Sequence, residues 1–525
     1  MKPKAFYLIL IPVLLATAIL KLFPMIYAGY LPFIELNIAR GIFHSPQAGF
    51  GQFARLFENP EFRRALTHTI VVKAAVYVVG GMLATAIAWA LSGLKSRKLR
   101  VAFATLFLIP FFIPSVVLSY AIAQIVPQDL WIRIDSRAWL VVAQVVKFIG
   151  IPVLIAQAAL GTQRKAARAF RAIGLFLLIQ TTAILSSDIE LERGMSNLPD
   201  DFGSSVDHYT FSNLYLMVDL EQSAAVSLLQ YAVQLAITLA VYRILKRSSL
   251  RDIALVSENP SAGHSSKKGS SVVGIVVLAI CALIVLLPLG MLYVNPYVRS
   301  ESALGILGLS SRSSFGFMGA VCLAVALHLI MTAALAYPLT VRAWKGRRLY
   351  AVFLLCLVPI SASGTIQEYL VYMNIGIVHT VGPFVLGGLS GIAHVFVLAG
   401  VYGAGVRVEG VNLAGKEEGS FFREYMPRIW KPLLALGVLQ FAVLWNAYIP
   451  SIMYAVPEGL QSPLLQIAQA VNGTFVSEDG LKGSFAYDSA ILRAGGLTSL
   501  PPILLFLLFR KYITAATVIG EGIKP

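Results

Sequence analysis

Charge is scarce in this sequence. Asp, Glu, Lys and Arg make up 13% of 525 residues while hydrophobic residues make up 57%, and the mean hydropathy is +0.76. A soluble domain carries roughly 25% charged residues, so water is excluded as the main solvent of the chain. Cysteine is nearly absent: Cys281, Cys322 and Cys356 all lie inside apolar runs, without ligand-like spacing. A disulfide scaffold and a thiolate metal site are therefore excluded, and the residues are expected to pack between helices. Acids are few as well, 26 against 42 Lys+Arg for a formal charge of +16. The basic residues are spread between apolar runs rather than gathered on one soluble face, which excludes a nucleic-acid partner. Paired carboxylates, metal-spaced His/Cys groups and nucleophile motifs are also missing, so no catalytic centre, metal or cofactor is expected in this chain.

What the sequence does have is long apolar runs. A helical span of the hydrocarbon core needs ~20 residues, and twelve runs approach that length: 6–30, 69–92, 101–125, 138–160, 172–187, 223–243, 271–293, 315–337, 349–373, 384–404, 432–455 and 491–510. The fifth is short and borrows residues from its basic N-terminal flank. These runs predict an all-α polytopic membrane protein of about 12 transmembrane helices. Most Lys and Arg fall in alternate loops and most acids in the others, which puts both termini in the cytoplasm. The positive charge then reads as topology plus attraction to anionic lipid, and the first run reads as a retained signal anchor.

The polar stretch 246–270 reads as a flexible cytoplasmic linker between a first half, 1–245, and a second half, 271–525. The halves repeat at an offset of about 250 residues. AIAWAL (Ala86 to Leu91) matches ALAYPL (Ala334 to Leu339), a basic turn follows each, and FLIP ending at Pro110 matches CLVP ending at Pro359. Six spans per half give the two units the same direction, hence a pseudo-twofold axis along the membrane normal and a pathway between them.

The loop 409–432, EGVNLAGKEEGSFFREYMPRIWKP, resembles the coupling loop of the integral permease subunits of ATP-binding-cassette (ABC) importers. Glu409, Gly410, Gly415, Phe422, Arg423, Met426 and Pro427 occupy its pattern, with EGV in place of EAA, one residue fewer after Gly415, and Glu424 where the family has Ile. The loop reads as a lever, a short amphipathic helix stopped by Gly and Pro that docks on a soluble partner. ALGVLQFAVLWNAYIPSIM (Ala435 to Met453) and the final span resemble the carbohydrate branch of that family. The resemblance implies a type I importer permease with both halves fused, in a prokaryotic plasma or inner membrane. It further implies two cytoplasmic ABC ATPases that bind ATP and Mg, an extracytoplasmic solute-binding protein docked on the acidic outer loop 187–222, and a small polar solute. In the first half, 161–171 reads as a basic cytoplasmic turn, with a shortened, degenerate docking element as the alternative. The G-x-x-x-x-G-K string from Gly410 to Lys416 is no nucleotide site, because Glu417 replaces the magnesium-binding Ser/Thr and no strand precedes it.

Polar residues inside spans are costly and face cavities or partners. Gln440, Trp445, Asn446 and Tyr448 supply the amide and aromatic chemistry that binds sugar hydroxyls and C–H faces, and Glu368 is the sharpest intramembrane acid. Lys21, Lys73, Lys147 and Arg493 are expected to snorkel to an interface. His328 and His394 each read as a lone helix-bonded histidine. Two alternatives remain open: a fused permease for ferric iron or thiamine, and an ion-coupled secondary transporter that carries protons on Glu368 and a His.

Overall fold

A computed structural model describes residues 3–37, 39–126, 136–160, 166–195, 205–215, 217–247, 272–299, 310–341, 344–360, 365–387, 391–408, 421–454, 457–474 and 484–523. Among these residues the fold is helical throughout, with one isolated β-bridge between Ile34 and Gln47. Eight helices are long and apolar enough to cross a membrane, and two bent pairs raise the number to ten if each pair is one span. The chain is accordingly a polytopic membrane protein.

In chain order the helices are α1 (Tyr7–Phe33), α2 (Pro60–Gly93), the bent pair α3 (Arg97–Leu108) and α4 (Ser115–Ile125), and the bent pair α5 (Arg137–Phe148) and α6 (Gly150–Leu160). Next come the 15-residue α7 (Ala166–Gln180), α8 (Leu220–Leu245), α9 (Val272–Tyr293) and α10 (Ser311–Thr340). The last are α11 (Arg347–Leu357) and α12 (Thr365–Asn374), α13 (Gly382–Gly405), α14 (Phe421–Trp445) and α15 (Ser489–Tyr512). Of the twelve expected spans, the fifth is thus a helix too short to cross. The ninth is divided into α11 and α12, and its connecting residues lie outside the described set, as does most of the linker 246–270.

Local chemistry starts and stops these helices. Asn59 caps α2 by accepting from the Glu61 N–H, and Pro60 occupies the first turn, where its missing donor costs nothing. On α1, Leu8, Ile11, Leu15, Ile19 and Ile26 are exposed while Leu10 and Met25 are buried. That three-to-four residue spacing gives one lipid-facing stripe and one packed face. Cys281 is buried, but Cys322 is exposed, contrary to the expectation that all three cysteines pack between helices.

The break between α3 and α4 organises the centre. Pro114 forces Ile113 out of the helical region, to φ −89° and ψ 138°, and is itself extended, so the chain turns by 107°. A second close approach sits at Gly150, where an added Cβ would lie 2.4 Å from the Phe107 carbonyl oxygen. Only glycine lets α6 pack against the end of α3 there. A second divide, between α11 and α12, lies about 250 residues further along the chain.

Candidate functional site: a seam of broken helices

A broken helix leaves backbone groups without partners, and at membrane depth these need donors or acceptors from protein. At the α3/α4 break the Phe112 carbonyl accepts from Asn446 Nδ2 at 3.1 Å. The neighbouring Ile113 carbonyl accepts from the Lys147 ammonium on α5. On the opposite side, α14 ends at Asn446 and a short helix, Ile449–Met453, starts beyond it. That second start frees the N–H groups of Tyr448 and Ile449, which donate to Glu190 Oε1 at 2.7 and 3.2 Å. Each half therefore completes the broken backbone of the other.

A further shell supports these contacts. Asp188 accepts from Ser115 at the start of α4 at 2.8 Å and from the Leu191 N–H at 3.2 Å. Burial raises the pKa of Asp188 and of Glu190, and the charge of Asp188 adds to the effect on Glu190. The short helix Ile189–Gly194 lies so close to α4 that a Cβ on Gly194 would sit 1.8 Å from Ser119 Oγ. Trp445 Nε1 donates to the Thr498 carbonyl on α15 at 2.7 Å. The Asn446 Oδ1 atom is buried and has no hydrogen-bond partner among the described residues.

Of the residues expected to line a pathway, Gln440, Trp445 and Asn446 are buried at the C-terminal part of α14 and Tyr448 is half-buried just beyond it. Glu368, expected to line the same pathway, lies elsewhere. It is 7% exposed on α12 and forms an ion pair with Lys21 in a π-helical turn of α1. The expectation of snorkelling lysines is overturned, since Lys21, Lys73 and Lys147 are 4%, 9% and 5% exposed. Lys21 pairs with Glu368 and Lys147 donates to the Ile113 carbonyl, rather than reaching lipid. The histidines are not lone either: His328 Nε2 lies 3.0 Å from His394 Nδ1, and His394 Nε2 lies 2.6 Å from Glu521 Oε1.

The segment 187–222, expected as an outer docking loop, is folded in its described parts. Ser205 links Ser187 to Glu192 at 2.6 and 2.7 Å, and Asp207 accepts from Gln230 at 2.6 Å and from the Ser187 N–H at 2.7 Å. Asp188 and Glu190, which sequence reasoning missed, belong to this loop. The available signal was Lys147, an ammonium within an apolar run that requires a partner.

Glu409, Gly410 and Gly415 lie outside the described residues. Phe422 is 78% exposed, Arg423 and Pro427 are exposed and Met426 is half-buried. The described part of the loop is not a separate helix stopped by proline. It is a π-helical turn, Phe421–Tyr425, running directly into the helix Met426–Trp445, because Pro427 falls in the first turn, where proline is tolerated. Tyr425 anchors it: fully buried among Tyr337, Tyr402 and Phe421, it donates to the Ala333 carbonyl at 3.2 Å.

No family model matches the sequence, and no curated protein matches it.

Proposed function

We propose that this chain is the membrane-spanning permease of an ATP-driven importer, with two six-span halves in one polypeptide enclosing an alternating-access pathway for a carbohydrate or related polyhydroxy solute. The observation that carries this reading is the reciprocal seam, in which Asn446 satisfies the Phe112 carbonyl of the first half and Glu190 satisfies the Tyr448 and Ile449 N–H groups of the second. Parting the halves exposes those carbonyls, N–H groups and amides together, and hydroxyl groups replace them one for one. Trp445 and Tyr448 add aromatic faces for C–H surfaces.

In this reading ATP and Mg are bound by a separate pair of cytoplasmic ATPases, which grip the 409–432 loop, and an extracytoplasmic protein delivers the solute. Exposed Phe422, Arg423 and Pro427 beside the anchored Tyr425 suit a lever of this kind. Closure of the ATPases shifts the population between inward-open and outward-open states.

The test is uptake of radiolabelled saccharides by proteoliposomes holding the chain and its co-purifying ATPase. Uptake is expected to require ATP, to survive collapse of the proton gradient, and to fall sharply in Asn446→Ala at equal protein. Uptake that ignores ATP and follows the gradient sinks the proposal. That outcome supports a second reading, ion-coupled transport, which the buried His328, His394 and Glu521 chain favours. Glu368 is less suited to carry the proton, because Lys21 already neutralises it.

A further inference from the structure

After Phe509 the chain turns back. Arg510–Tyr512 forms a 3-10 turn, Thr514 and Thr517 cap one another, and the helical segments Ala515–Val518 and Ile519–Ile523 follow. These segments pack between α6 and α7 of the first half and α13 and α14 of the second. Val518 is 0% exposed and Thr517 1% exposed. The returning chain reaches well into the bundle, for His328, the far end of the chain to which Glu521 is bonded, lies ~18 Å from the Thr340 end of α10.

Irregular backbone at that depth survives only inside protein, and a carboxylate there needs specific partners. Glu521, 2% exposed, is bonded to His394 on α13, which in turn meets His328 on α10. Gly391 is the close neighbour that permits the arrangement, since a Cβ there would lie 2.1 Å from His328 Cε1. Ala516 and Val518 belong to the main apolar core, and the segment also packs against α6 and α7. Through Glu521 the segment is bonded to α13, and at its start Arg510 bridges the Ile513 carbonyl to Thr105 on α3.

We propose that residues 513–523 form a wedge that holds the two halves in the observed arrangement, and that Glu521 is a positioning residue that keeps the wedge attached to the second half. This rests on the reading that the halves move against each other. When they part, the wedge travels with α13, to which Glu521 is bonded through His394. Glu521 acts through His394 and touches no solute.

The experiment uses the full chain with Cys281, Cys322 and Cys356 replaced by Ala and a single reporter, Val518→Cys, in vesicles opened to a membrane-impermeant maleimide. The reporter is expected to be protected with Glu521 present and with Glu521→Gln, whose amide oxygen still accepts from His394. With Glu521→Leu, labelling is expected to be about tenfold faster, the order that loss of a charge-assisted hydrogen bond makes in an opening equilibrium. A second reporter, Ala336→Cys, fully buried on α10, is expected to stay protected throughout. Protection of Val518→Cys in the Leu variant overturns the wedge, as does parallel labelling of both reporters, which makes Glu521 a general stability residue. Neither ATP nor solute is needed, so this failure leaves the importer reading standing.

Discussion

The Lys21 ammonium and the Glu368 carboxylate form a buried ion pair that ties α1 of the first half to α12 of the second. Neither residue reaches lipid or water, and the pair lies in the packed contact between the π-turned middle of α1 and the first turns of α12. It is a tie between halves rather than two independent polar residues.

Removing one partner strands the other charge. Lys21→Met or Glu368→Leu alone is expected to lower stability by ~3–5 kcal/mol, whereas the double variant returns close to the parent. Thermal unfolding midpoints of the four proteins in one detergent form the double-mutant cycle. Additive single effects contradict the pairing.

Two glycines are predicted to be irreplaceable for steric reasons. Gly194→Ala drives a methyl onto Ser119 Oγ and the Val116 carbonyl, and Gly150→Ala drives one onto the Phe107 carbonyl. Since backbone cannot yield as a side-chain tip does, each is expected to cost at least ~1–3 kcal/mol. Gly290→Ala and Gly403→Ala, with open space at the new methyl, are expected to leave the midpoint unchanged. Equal effects at all four positions refute the steric account.

In the proposed coupling loop Tyr425 is the anchor and Phe422 the exposed contact. Tyr425→Ala empties a fully buried aromatic site and is expected to destabilise by ~3–5 kcal/mol, with Tyr425→Phe losing only the hydrogen bond to Ala333. Phe422→Ala, on a side chain 78% exposed, is expected to leave stability intact and to abolish co-purification of an ATPase. Retained co-purification removes Phe422 from the docking surface.

Much of the fold was legible because apolar length is written directly into the chain. Eight of twelve runs form spanning helices, whereas the run 101–125, read as one span, is broken at Pro114. The seam was legible from one side only. WNAY carries a side-chain signature, whereas its partners are the Phe112 carbonyl and the acid Glu190, a backbone group and a residue that reads as solvated in a loop. The buried lysines were misread because spacing along one helix does not reveal which neighbour it faces. Lys147 turns to the Ile113 carbonyl only because Pro114 broke a different helix. The His328 and His394 pairing depends on residues 66 apart in sequence, a separation that no local pattern encodes.

Asp207 makes the sign of one pH effect predictable. It lies on Val206–Tyr215, outside the spanning helices, and burial pushes its carboxyl from 3.8 up to about 6 against the opposing bonds from Gln230 and Ser187. Between those two values the folded state keeps a proton that the unfolded chain has released. Folding is thus favoured most below 3.8, and the contribution is lost as pH rises through about 6. Burial raises Asp188 and Glu190 in the same direction, so the slopes add. The thermal midpoint in detergent is expected to fall as pH rises across that window, and Asp207→Asn is expected to flatten part of the fall. A midpoint that climbs with pH there, or an Asn variant with the parent's slope, shows that hydrogen bonding and Lys73 outweigh burial at this carboxylate.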